Sequence, residues 1–70
     1  MMKVGIIGLG TIASQHIKAI SALKELRLHS GCRRNKKELN GFCKKYGTKG
    51  FTDYKELLKD GVDIVVVALP

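Results

Sequence analysis

Three small residues, Gly8, Gly10 and Ala13, form a Gly-x-Gly-x-x-Ala arrangement directly after the apolar run Val4-Gly5-Ile6-Ile7. This spacing suits the holding of a phosphate rather than the breaking of a bond. Gly8 permits a tight strand-to-helix turn, Gly10 leaves no side chain to obstruct a pyrophosphate, and Ala13 lets the following helix pack close to the strand. A helix starting near Thr11 directs free backbone N–H groups and a partial positive charge at the same spot. The expected contacts to a dinucleotide are therefore Gly8, Leu9, Gly10, Thr11 and Ile12. Glycines also punctuate turns that bind nothing. The motif gains meaning from a strand before it, a helix after it and a ribose-reading residue about 20 positions on. That last position falls at the end of a second strand-like run, Leu26 to Cys32, which leads into Arg33 and Arg34.

The other reactive side chains do not group into a catalytic set. Cys32 and Cys43 lack the close pairing of a zinc or redox site and read as reduced thiols. His16 falls on the apolar face of the first helix and reads as a packed, hydrogen-bonded histidine. His29 lies within a strand, without an Asp or Ser pattern suggesting a triad, and is assigned no chemical role. No catalytic residue and no metal ligand is named.

The elements that position the glycine turn are legible from periodicity and caps. Ile12, His16, Ala19, Ile20 and Leu23 recur at helical spacing between Thr11 and Leu23. Leu26 to Cys32 reads as a strand. Asn35 followed by Glu38 forms a capping box ahead of Leu39, Phe42, Cys43 and Tyr46, and Gly47 ends that helix. Lys49 to Thr52 allows only a brief edge strand. Asp53 and Glu56 repeat the cap before Tyr54, Leu57 and Leu58, with Gly61 as the stop. Asp63 to Leu69 is a nearly continuous β-branched run, the composition of a strand buried on both faces of a parallel sheet. The order β-α-β-α-β-α-β predicts an α/β fold: an incomplete doubly wound parallel sheet with right-handed crossovers.

Seventy residues make at most one small domain. The formal charge of +7, from 13 Lys and Arg against 6 Asp and Glu, points to an anionic partner. Lys44, Lys45 and Lys49 read as a solvated face. Nucleic acid is disfavoured, because no stacking aromatics are interleaved with the basic residues and no nucleic-acid motif is present. Met1-Met2-Lys3 leads into the first strand without a signal-like segment, and no apolar run approaches the roughly 20 residues that span a membrane. A soluble cytoplasmic protein is expected. The fourth strand should lie beside the first, and its far edge calls for a fifth strand that the sequence does not supply. A fragment, a truncated frame or a segment of a larger protein is the expectation.

Four segments together carry a more specific likeness: Val4 to Ala13 with His16; Phe42 with Lys44-Lys45-Tyr46-Gly47; Phe51 to Leu58; and Val62 to Pro70. In this order they resemble the amino-terminal segment of the glucose-fructose oxidoreductase and inositol dehydrogenase (Gfo/Idh/MocA) family. The resemblance covers Lys3 to Pro70. It implies the Rossmann nucleotide-binding part of an NAD(P)-dependent oxidoreductase acting on sugars, cyclitols or related hydroxy and carbonyl compounds. Family members continue into a Glu-Lys-Pro segment whose lysine takes part in catalysis, and then into a substrate domain. This chain has neither, so residues 1–70 correspond to the cofactor half, and alone they are expected to be inactive. A small-molecule substrate belongs to a longer protein, and a homo-oligomer is compatible with this reading. Leu69-Pro70 departs from the family's usual Thr-Pro ending of the fourth strand.

A second departure bears on the cofactor. Many family members carry Asp at the end of the second strand, where it accepts hydrogen bonds from the adenosine ribose. Counting back from Tyr46-Gly47 puts Arg33 there. A guanidinium cannot accept those bonds but suits a phosphate dianion. NADP is therefore expected ahead of NAD, with Arg33 and Arg34 on the 2'-phosphate. The alternative function is a dinucleotide-sensing module without turnover, which would share every one of these features.

Overall fold

Seven elements alternate along the chain: β1 (Met2–Ile7), α1 (Ala13–Ala22), β2 (Leu26–Cys32), α2 (Lys36–Tyr46), β3 (Lys49–Phe51), α3 (Tyr54–Asp60) and β4 (Ile64–Val67). The structure, a computed structural model, describes residues 1–8, 10 and 13–68. All four strands run parallel in one sheet of order β3-β2-β1-β4. The chain steps outward from β1 to β3, then returns across the sheet to place β4 on the free side of β1. This is the arrangement expected from the sequence. Val4 lies opposite both Leu28 and Ile64, and Ile7 opposite both Cys32 and Val67. Lys3 and Asp63 fasten the entry to β4, with Asp63 N–H donating to the Lys3 carbonyl (2.8 Å) and Lys3 N–H to Asp63 Oδ2 (2.7 Å).

Local chemistry sets the helix ends. Asn35 is extended, and its side chain accepts from Glu38 N–H at 3.1 Å. Asp53 accepts from Lys55 N–H at 2.9 Å. Each bond satisfies an otherwise orphan donor of the first turn. Gly47 closes α2 in the left-handed region at φ 64° and donates to the Cys43 carbonyl at 2.8 Å. The reciprocal half of each capping box is replaced: the Glu38 carboxylate pairs with Arg33, and Glu56 with Lys59 at 3.9 Å.

One face of the sheet packs on α1 and α2. Its core is Ile6, Ala13, Ile17 and Ala68, with Leu28, Phe42, Tyr46 and Val66 against it. The buried stripe of α1 is Ala13, Ile17 and Ile20, rotated from the expected His16, Ala19, Ile20 and Leu23. Ala19 and Leu23 are exposed and His16 is only half-buried, while Ile12 lies outside the described residues. Ala13 and Ile17, one turn apart at i and i+4, share one buried cluster with Ile6, and that face of the helix is the one turned to the sheet.

The opposite face packs on α3. Leu57 is fully buried there, over Gly5 of β1. A Cβ on Gly5 would stand 2.7 Å from Leu57 Cδ2, closer than carbon atoms approach, so the bare strand backbone is what lets α3 settle on the sheet. This face ends the expectation that the last strand is buried on both sides. Helix α3 packs on β1, β2 and β3, leaving Val65 37% and Val67 62% exposed while Ile64 and Val66 are half-buried.

Candidate functional site

The glycine turn and the two arginines meet at the carboxyl ends of β1 and β2, beside the point where the strand order reverses. Gly8 has φ 85°, which an L side chain rarely adopts. Its N–H donates to the Cys32 carbonyl at 3.0 Å, pinning the end of β1 to the end of β2. The turn therefore requires glycine at this position for its own shape. Gly10 differs. It is exposed, and a Cβ built on it would meet nothing within 4 Å apart from its chain neighbours. Packing among the described residues therefore leaves this stretch of backbone open on the side where a side chain would stand. The Gly10 carbonyl accepts from Ala13 N–H at 3.0 Å and so opens α1 beside this bare backbone. Leu9, Thr11 and Ile12, the other expected phosphate contacts, lie outside the described residues.

A cleft of about 620 Å³ runs from this turn along the ends of β2 and β3, lined by Ile7, Gly8, Cys32, Arg33 and Arg34 and by Thr52, Asp53 and Tyr54. Arg33 is held at both ends. Its backbone N–H donates to the Phe51 carbonyl at 3.1 Å, and its guanidinium Nη2 pairs with Glu38 Oε2. Its side chain is one-third exposed, and the residue lines the cleft. Arg34, next to it, is exposed. Burial pushes the Cys32 thiol above its ordinary pKa, and the Asp53 charge adds to the effect. The cleft thus combines an uncharged thiol with two cations, Arg33 and Arg34, and one carboxylate, Asp53. Both cysteines are free.

The structure brings Gly8, Arg33 and Arg34 to one cleft with Gly10 beside it. It adds Glu38, Asp53 and Tyr54, which the sequence reading had not counted as site residues. A signal for two of them was present. Capping residues after β2 and β3 necessarily gather at the carboxyl ends of those strands, where a doubly wound fold binds its ligands. Away from the cleft, near the start of β3, His29 Nε2 lies 2.8 Å from Asp60 Oδ2, and Lys49 Nζ lies 3.1 Å from Asp60 Oδ1. His29 thus has an acidic partner, brought from 31 residues away. Among the described residues, no cluster of His, Cys, Asp and Glu could hold a metal ion, and no helix is long and apolar enough to cross a membrane.

Residues 2–70 match the family described as an oxidoreductase family with an NAD-binding Rossmann fold. Glucose-6-phosphate 3-dehydrogenase of Bacillus subtilis (strain 168) is 37% identical over 70 residues, which is 100% of this chain and 20% of that enzyme. The crystal structure of the WlbA dehydrogenase from Bordetella pertussis, in complex with NADH and UDP-GlcNAcA, superimposes with a TM-score of 0.90 at 28% identity, covering 99% of this chain and 22% of that one. An oxidoreductase from Desulfitobacterium hafniense described as NADPH-dependent superimposes with a TM-score of 0.88 at 27% identity, covering 99% of this chain and 20% of that one. The chain thus spans about a fifth of the length of these relatives.

Proposed function

The chain belongs to the Gfo/Idh/MocA oxidoreductase family, whose NAD-binding Rossmann fold it shares, and on that footing we propose that it forms the cofactor-binding half of a cytoplasmic dehydrogenase that prefers NADP. The substrates proposed are sugars, cyclitols or related hydroxy and carbonyl compounds, in line with a sugar-phosphate dehydrogenase and a nucleotide-sugar complex among its relatives. The observation that carries the reading is the bare backbone of Gly10, open to approach beside a cleft walled by Arg33.

The residues fit such a cofactor in distinct ways. Gly8 makes the turn, and Gly10 admits the pyrophosphate to the backbone at the start of α1. Arg33 stands where a carboxylate would otherwise read the ribose, and its planar fork of donors suits the 2'-phosphate. Arg34 adds a second cation. Lys36 and Lys37 contribute at longer range, where salt screens them. The neutral Cys32 thiol and the side chain of Ile7 give the cleft an apolar floor. The bound nicotinamide would supply the hydride-transfer chemistry, and the residues described here bind and orient the adenosine end.

Calorimetric titration of the intact protein with NADP and NAD tests this reading. A charge-assisted hydrogen bond of about 1.5 to 3 kcal/mol corresponds to roughly ten- to a hundredfold tighter binding of NADP. Arg33→Asp should reverse the order. Tighter binding of NAD by the parent, or an unchanged ratio in the variant, would return Arg33 to an ordinary loop cation.

A further inference from the structure

The Glu38 carboxylate occupies the same guanidinium that the reading above assigns to the 2'-phosphate. We propose that Glu38 is a specificity-determining residue: it competes with the 2'-phosphate for Arg33 and so moderates the preference for NADP over NAD. The inference rests on that reading of Arg33 and goes beyond it.

The geometry is constrained at both ends. Arg33 is fixed through its backbone bond to Phe51 at the end of β3. Glu38 is fixed in the first turn of α2, where its own N–H is held by the Asn35 cap. The pair therefore spans two anchored backbones, and the contact follows from the placement of β2 and α2. Carboxylate and phosphate recognise a guanidinium through the same coplanar donors. A dianion arriving at Arg33 must displace Glu38 or take the donors that Glu38 leaves open on the same guanidinium, at the cost of repulsion between like charges. A ribose carrying only hydroxyls meets neither obstacle. The pair thus penalises NADP selectively, while NAD meets no such opposition.

Glu38→Gln removes the charge and keeps a residue suited to the first helical turn. At low ionic strength the variant should raise the NADP-to-NAD affinity ratio about three- to tenfold. That range combines release of a partly exposed ion pair with loss of repulsion toward the phosphate. The experiment is calorimetric titration of the intact protein with each dinucleotide, without turnover, for the parent, Glu38→Gln, Arg33→Gln and the double variant. If the two residues compete as described, the gain from Glu38→Gln falls below about twofold once Arg33 is replaced. Loss of NADP affinity in Arg33→Gln together with an unchanged ratio in Glu38→Gln would overturn the inference alone. An equal gain in both backgrounds would overturn it too, because Glu38 would then repel the phosphate without acting through Arg33. No loss in Arg33→Gln would overturn the reading of Arg33 itself, and the inference with it.

Discussion

His29 Nε2 and Asp60 Oδ2 lie 2.8 Å apart, joining the middle strand β2 to the last turn of α3, and Lys49 Nζ reaches the other carboxylate oxygen at 3.1 Å. The hydrogen bond from His29, and then that from Lys49, hold the Asp60 carboxyl below its ordinary pKa. A carboxyl depressed in the folded state contributes stability above its unfolded pKa, about 3.9, and loses that contribution as pH falls through the lower folded value. Asp60→Asn should therefore be less stable than the parent near neutrality, and the gap should begin to narrow as pH falls below about 4. Urea melts from pH 3 to 7 check this; a gap that widens on acidification would contradict it.

Two glycines two residues apart should fail in different ways when substituted. Gly8→Ala forces a side chain into φ 85° and is expected to cost about 1–2 kcal/mol of stability. At Gly10 an added Cβ meets nothing within 4 Å apart from its chain neighbours, so in Gly10→Val thermal stability should hold while affinity for either dinucleotide falls at least about tenfold. Thermal melts beside calorimetry separate the two effects. Unchanged affinity in Gly10→Val would remove the main support for the phosphate site.

The contact between β1 and α3 predicts coupled stabilities. Leu57→Ala empties a fully buried position and should cost about 2–5 kcal/mol. Gly5→Ala should also destabilise, because its Cβ would collide with Leu57. The double variant should be less destabilised than the sum of the two by about 0.5 kcal/mol or more, since the smaller side chain vacates the space that the new methyl needs. Strict additivity in denaturant titrations would show that the collision is relieved elsewhere.

Cys32 and Cys43 should differ toward thiol reagents. Cys32 is buried, and its thiol is held protonated by burial and by Asp53, whereas Cys43 is half-buried. At neutral pH a small alkylating agent should modify Cys43 first. Because Cys32 lines the cleft, NADP should slow its modification further and leave Cys43 unaffected. Peptide mapping by mass spectrometry distinguishes the two sites.

Much of this architecture was legible because local chemistry and packing agree. Asn35, Gly47, Asp53 and Gly61 stand at helix ends where the sequence placed them, and β2 begins and ends at the expected residues. What periodicity could not reveal depends on contacts made only in the folded chain. The facing of α1 is set by the cluster that Ala13 and Ile17 form with Ile6 and Ala68, contacts that a helical wheel does not contain. The acidic partner of His29 comes from 31 residues away. At the site, Gly8, Arg33 and Arg34 could be read as one constellation because they follow consecutive strand ends. Glu38 was legible only as a capping residue; its turn toward Arg33 depends on the angle at which α2 leaves β2.

The position of β1 between β2 and β4 also governs the order in which the fold can assemble. Its first edge closes locally, through the short crossover that carries α1. Its second edge waits for Ile64–Val67, with the Lys3–Asp63 contact closing a separation of 60 residues. Non-local closure of this kind is entropically slow. As the ribosome delivers the chain, every residue that lines the cleft, from Ile7 to Tyr54, therefore emerges before the strand that braces β1 from its other side.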